Sequence, residues 1–245
     1  MGSRSPASDA EGLPRRAAAV RRAAPRIWHP DWYVLRELAG AIRETLAQLP
    51  LNGARVLDYG CGERPYEAWF AAAGARYQGA DLEGSHEIQI LSGGTLDAGN
   101  ASAEVVTSFQ VLEHVWDVSG YLCEAHRVLV PGGWLLLSTH GTWLYHPHPG
   151  DFRRWTVEGL KREVEAARFT LVSMRPVAGP LAWTTVLRSL GWCHFLGRIP
   201  LVGGALSAMF ATLFGVKAWL EDRVTPASIT RDNACVYVGL FRRVP

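Results

Sequence analysis

From Asp31 onward the chain carries two hydrophobic rhythms in turn. Leu35, Leu38, Ala39, Ile42, Leu46 and Leu49 recur at the spacing of one helix face, with Asp31 placed to cap that helix. Short apolar runs then predict strands over 55–58, 77–80, 87–90, 104–109 and 134–139, and helices over 65–73 and 121–129 lie between them. Gly74 closes the first of these helices, and Pro131-Gly132-Gly133 separates the second from the next strand. Thr156 caps a helix running to Ala167, and strands over 169–176 and 234–241 follow. Alternation of this kind predicts right-handed βαβ units around a mostly parallel sheet.

Two stretches break the rhythm. Residues 1–30 are rich in Ala, Arg, Ser and Pro and offer little to bury, so they read as a disordered basic leader before a domain over 31–245. Residues 179–222 are too long and too apolar for a connection between the last two strands. They read as an apolar helical insertion in which Arg188, Arg198 and Lys217 alternate with Trp183, Trp192 and Trp219. Apolar helices with basic and tryptophan markers suit a membrane interface, with contact expected through 179–220. A lid over the active site or a homodimer surface has the same composition.

Composition narrows the function. The 245 residues suffice for one α/β domain, and a net charge of +2 gives no reason to expect a nucleic-acid partner. Cys61, Cys123, Cys193 and Cys235 are widely spaced, without a CxxC pair. They suit a reducing, cytoplasmic setting, and Cys123 and Cys235 sit in apolar patterns that predict burial.

Candidate chemistry begins at RVLDYGCGERPY, residues 55–66. A strand runs into a turn with Gly60 and Gly62, where bare backbone lets a ligand approach closely. Asp81 ends the next strand about twenty residues later, where an acid accepts hydrogen bonds from ribose hydroxyls. Pro65 occupies the third position of a dinucleotide fingerprint, and the Asp58 carboxylate disfavours a phosphate. Ribose, a close approach and a positive group together describe S-adenosylmethionine.

The segments VLDYGCG, GADLEG, VVTSFQVLEHV, RVLVPGGWLLLSTHG and HPHPGDFRRWTVEGL, in this order across residues 50–176, resemble the class I S-adenosylmethionine-dependent methyltransferases, closest to the bacterial type 11 group. The resemblance implies a Rossmann-like α/β fold. Its seven-stranded, mostly parallel sheet would have helices on both faces and an antiparallel last strand. It implies that Asp58, Gly60 and Gly62 surround the methionyl part of the cofactor, that Asp81 holds the ribose with Leu82 against the adenine, and that Gln110 lies beside the methyl group. After the third strand the group often has an acid that touches adenine; this chain has Leu91-Ser92-Gly93-Gly94, so Ser92 is the candidate there.

The loop after the fifth strand should overhang the donor methyl. His146 or His148 is the candidate base for an oxygen acceptor, with Asp151 as its orienter. Asp151 pairing with Arg153 or Arg154 to brace a lid is the other reading. Glu113 and His114 either frame the pocket mouth or brace the start of the next helix. No metal is expected, since prolines separate His146 from Asp151 and no helical ligand pair is present. The expected activity is O-methylation of a lipid-linked saccharide or another membrane-associated acceptor, at the inner face of the membrane. Methylation of a soluble small molecule, and cofactor binding without transfer, are the alternatives.

Overall fold

The apolar runs at 56–57, 105–106 and 135–137 are continuous rather than alternating because their sheet is covered on both sides. Val56, Val105 and Leu136 face one layer, and Leu57, Val106, Leu135 and Leu137 face the other. The structure, a computed structural model, describes residues 15–84, 86–147 and 150–244. Its strands are β1 (Arg55–Tyr59), β2 (Arg76–Asp81), β3 (Ile88–Gln89), β4 (Ala103–Phe109), β5 (Leu129–His140), β6 (Phe169–Val177) and β7 (Val236–Arg243). Their order in one seven-stranded sheet is β3-β2-β1-β4-β5-β7-β6. The pairs from β3 through β5 are parallel, whereas β7 runs antiparallel to both β5 and β6. The seven-stranded sheet and its antiparallel last strand match the expected fold. The chain leaves β1 toward β2 and β3, then returns to place β4 on the other side of β1, so a crevice opens at the carboxyl ends of β1 and β4.

Helices α2 (Trp32–Leu46) and α3 (Glu67–Ala72) cover one face, and α4 (Val118–Val128) and α5 (Val157–Ala166) the other. Thr156 caps α5, its hydroxyl accepting from the Gly159 amide at 3.1 Å. Asp31 precedes α2 but makes no side-chain cap; it pairs instead with Arg21. Arg21 belongs to α1 (Arg15–Ala23), which corrects the reading of the whole of 1–30 as disordered: residues 15–23 are helical and pack on α2. Residues 1–14 lie outside the described part. The expected break at Pro131-Gly132-Gly133 is an excursion within β5, where the register to β4 jumps from Ala103↔Leu129 to Val105↔Trp134. Cys61, Cys193 and Cys235 are buried, but Cys123 is exposed on α4, contrary to its apolar setting in sequence.

The insertion between β6 and β7 is a helical hairpin, α6 (Pro180–Leu196) and α7 (Gly203–Val224), followed by the short α8 (Ala227–Asp232). Bare backbone lets the two helices meet at their turn, where a Cβ on Gly203 would lie 2.6 Å from the Leu196 carbonyl oxygen, while a Cβ on the buried Gly215 would lie 3.0 Å from the Trp32 ring of α2. Asp222 fixes the root, accepting from the Gly179 amide at 2.6 Å and from the Tyr33 hydroxyl at 2.7 Å. Toward the tip the large apolar side chains turn outward. Trp192, Phe195, Ile199, Leu201, Val202 and Met209 are exposed, Leu201 completely. By length and composition α7 could cross a membrane, and it is mostly uncovered by the rest of the chain.

Candidate active site

Parallel strands deliver the sequence-predicted cofactor residues to one end of the sheet. Just past β1 the amides of Gly60 and Cys61 donate to the Ala80 carbonyl at 2.8 and 3.0 Å, tying the turn to β2. The Gly62 amide donates to Asp81 Oδ2 at 2.8 Å, and the Leu82 amide to Asp81 Oδ1 at 2.7 Å. Oδ1 also accepts from the Glu83 amide at 3.4 Å, whereas Oδ2 keeps a further lone pair, and the group is only half-buried.

The two glycines do different work. At Gly60 (φ +85°) a Cβ would strike Val111 Cγ2 at 2.5 Å, so bare backbone there admits a neighbouring side chain. At Gly62 (φ +49°) a Cβ would meet nothing within 4 Å; the space it would fill is open. Leu82, beside Asp81, is 66% exposed, an apolar surface without protein cover. Ser92 is exposed in the turn after β3, whose Gly94 carbonyl accepts from the Tyr59 hydroxyl. Gln110 leaves β4 in the left-handed region at φ +58°, its amide donating to the Ser138 carbonyl at 2.9 Å. A non-glycine residue held there is a strained feature of the kind that clusters at binding sites.

Asp58 stands apart from this open face. Its side chain is buried, with Oδ1 accepting from the Thr107 hydroxyl at 2.8 Å and Oδ2 from the Tyr77 hydroxyl at 2.5 Å. Burial raises its pKa to about 6 despite both hydrogen bonds. The Arg64–Glu87 pair, at 2.6 Å, braces the outer side of the turn. Residues 23 apart in sequence gave no signal of that contact.

The second group of residues surrounds the exit of β5. Glu113, in a 3-10 turn (Leu112–His114), is fully buried, and its Oε2 accepts from the Thr139 hydroxyl at 2.8 Å. It does not cap α4; Asp117 does, accepting from the Gly120 amide at 2.9 Å. His140 Nε2 lies 3.2 Å from Glu113 Oε1 but forms no aligned hydrogen bond with it. Burial pushes the Glu113 pKa up and the His140 pKa well down. The His146 ring lies 5.2 Å from that of His140 and 4.9 Å from that of His114. Burial also lowers the His146 pKa, which keeps the ring neutral.

Asp151 lies beside that ring, its Oδ2 3.4 Å from His146 Nδ1. It accepts from Arg154 through both oxygens, at 2.5 and 2.7 Å, and from the His146 amide at 2.9 Å. The arginine holds its pKa well below the usual carboxylate range. Asp151 thus clamps the loop, while His146 Nδ1 lies 2.9 Å from the Leu144 carbonyl oxygen. His148 lies outside the described residues. Trp116, Tyr145 and Phe152 form an exposed aromatic rim, and Trp143 stacks between His140 and Trp183 of α6 with centroids 5.0 and 4.8 Å apart.

A family model described as a methyltransferase domain matches residues 32–176, more than half of the chain. The chain belongs to the methyltransferase-domain family. The methyltransferase is 34% identical over 124 residues to the ubiquinone biosynthesis O-methyltransferase of Cereibacter sphaeroides, covering 44% of this chain and 50% of that protein. It is 34% identical over 134 residues, 48% of this chain and 52% of the other, to a protein of Mycolicibacterium smegmatis named as an S-adenosylmethionine-dependent methyltransferase. The chain therefore spans about half the length of the curated relatives it matches.

Among solved structures, the 1,6-didemethyltoxoflavin-N1-methyltransferase of Burkholderia thailandensis, with bound 1,6-didemethyltoxoflavin and S-adenosylhomocysteine, superposes with a TM-score of 0.52 at 18% identity, covering 95% of this chain and 91% of that one. A sarcosine dimethylglycine methyltransferase structure from Galdieria sulphuraria gives 0.54 at 12% identity, covering 86% and 88%. Both are likenesses of fold.

The family's cofactor is S-adenosylmethionine, and the residues present fit it. The open space at Gly62, the free lone pair of Asp81 Oδ2 and the bare face of Leu82 suit a backbone-hugging chain, a ribose and an adenine.

Proposed function

We propose that the methyltransferase transfers a methyl group to a hydroxyl oxygen of an acceptor held at a membrane surface, with a lipid-linked saccharide as the favoured class, and that it works at the inner, cytoplasmic face. The observation that carries this reading is the aromatic stack His140–Trp143–Trp183, which joins the imidazole cluster to the root of a hairpin whose tip is apolar and exposed. No acidic residue lies between Glu165 and Glu221, while Arg188, Arg198 and Lys217 do. Such a surface suits anionic headgroups with apolar insertion behind them. A shallow apolar groove lined by Arg188, Gly191, Trp192 and Phe195 adds room for an acyl or prenyl tail. The name of the Cereibacter sphaeroides relative favours oxygen as the methylated atom.

Bound S-adenosylmethionine supplies an activated methyl group, and the chain supplies position and proton transfer. Asp81, Leu82, Gly62, Gln110 and Ser92 hold the cofactor, with Gly60 and Asp58 shaping the turn beneath it. The Trp116, Tyr145 and Phe152 rim closes over the acceptor and sheds water. His146, through the Nε2 left free by its Nδ1 contact, or His148 would take the proton that the acceptor hydroxyl gives up on methylation. Asp151 keeps the loop in place through Arg154.

Flotation of the protein with anionic vesicles, at low and high salt, tests the acceptor class. Co-flotation that survives high salt supports apolar insertion through 179–220. A protein that stays unbound at both salts overturns it and favours a soluble acceptor, with the hairpin as lid or dimer surface. Calorimetric titration with S-adenosylhomocysteine tests the cofactor site separately.

A further inference from the structure

We propose that Glu113, His114 and His146 form a binding site for one divalent cation of the zinc type, at the mouth of the acceptor pocket. One ligand atom from each of the three side chains lies within 4.8 Å of the others. A tetrahedral set at ~2.1 Å from the metal needs separations of about 3.4 Å, so small rotations of the side chains close the site. Two imidazoles and a carboxylate favour zinc or cobalt over magnesium or calcium.

Each ligand is already oriented by a partner on its other atom, as metal ligands are. The Thr139 hydroxyl donates to Glu113 Oε2. His114 Nδ1 meets the Gly150 carbonyl oxygen, and His146 Nδ1 meets that of Leu144. A ring nitrogen facing a carbonyl is the donor, so Nε2 carries the lone pair in both histidines. Glu113 supplies the independent sign of a missing ligand: its side chain is fully buried, yet Oε1 has no aligned hydrogen bond, only the His140 Nε2 at 3.2 Å beside it. A buried carboxylate oxygen without an aligned hydrogen bond is costly, and a cation beside it removes that cost. Three protein ligands leave a position open for water or for the acceptor oxygen. While the ion is bound, His146 cannot also take the acceptor's proton; a hydroxyl on the open position would instead be made acidic by the metal.

Ion binding requires neither the hairpin nor a known acceptor, so it stands or falls apart from the membrane reading. The test is titration of chelator-treated full-length protein with Co(II), read by visible absorption, with elemental analysis for stoichiometry after zinc loading. The expected result is one ion per chain with the intense band of a four-coordinate site. Glu113→Gln and His146→Gln should each weaken binding by more than the roughly 10–100-fold that loss of an outer partner costs, and Thr139→Val by about 10-fold. Titration with S-adenosylhomocysteine checks that each variant is folded, because none of these residues is assigned to the cofactor. His146→Gln, on a partly exposed loop, remains decisive if Glu113→Gln does not fold. Absence of stoichiometric binding by the unaltered protein, or binding unchanged in folded His146→Gln, overturns the site.

Discussion

Asp58→Asn offers a test of the physics under the glycine turn. Asp58 is 2% exposed, and its two oxygens are held by Thr107 and Tyr77. Burial lifts its pKa from 3.8 to about 6, so the folded chain binds this proton more tightly than the unfolded chain does. This is the reverse of the usual salt-bridged carboxylate. The folded state is favoured most below the unfolded pKa, loses that advantage between about pH 4 and pH 6, and is level above. With these two pKa values the loss between pH 5 and pH 7.5 is about 1.4 kcal/mol. Asparagine keeps an acceptor for Thr107 and turns an amide toward the Tyr77 oxygen, at a cost of about 1 kcal/mol that does not vary with pH. Urea unfolding of both proteins at pH 5 and pH 7.5 isolates the difference, since only the unaltered protein carries an Asp58 carboxyl to titrate. The gap should move in favour of Asp58→Asn by about 1.4 kcal/mol as pH rises. Parallel curves would refute the buried, ionisable carboxylate.

Other outcomes follow from the same geometry. Asp81→Ala removes a charged acceptor from the ribose, and from the Gly62 amide, and should weaken S-adenosylhomocysteine binding by at least about 10-fold, at roughly 1.5–3 kcal/mol per charged hydrogen bond. Undiminished binding by calorimetry would show that the ribose lies elsewhere. The two glycines should separate stability from binding. Gly60→Ala meets Val111 at 2.5 Å and should lower the melting temperature sharply. Gly62→Ala meets no protein atom, should cost only about 1–2 kcal/mol for its left-handed backbone, and should still impair cofactor binding. On the hairpin, Trp192→Glu with Leu201→Glu should abolish vesicle flotation and leave the melting temperature within about 2 °C, because both side chains are already exposed. Persistent flotation of the double variant would remove the hairpin tip from the membrane contact.

Much of this protein was legible in one dimension. Hydrophobic period and turn residues decided the order of strands and helices from β1 to β7, because continuous apolar runs can only be buried between two helical layers. The glycine turn and Asp81 could be named as candidates because parallel strands deliver their carboxyl ends to one crevice and sequence order states which residues those are, whereas Gln110 came from the family resemblance. Tertiary structure decided what the sequence left open. Which glycine admits Val111 and which faces open space depends on a loop about fifty residues away. That Asp58 is sealed under Tyr77 and Thr107 depends on neighbours from β2 and β4. Asp151 grips Arg154 through both oxygens while its Oδ2 stays 3.4 Å from His146 Nδ1, because a bidentate arginine fork is the stronger partner of a carboxylate and the ring takes the longer contact. The assembly of Glu113, His114 and His146 joins a turn after β4 to a loop after β5, a juxtaposition without periodicity or spacing to announce it. Local pattern fixes elements because it acts through neighbouring residues; sites built across elements depend on distances that only the folded chain defines.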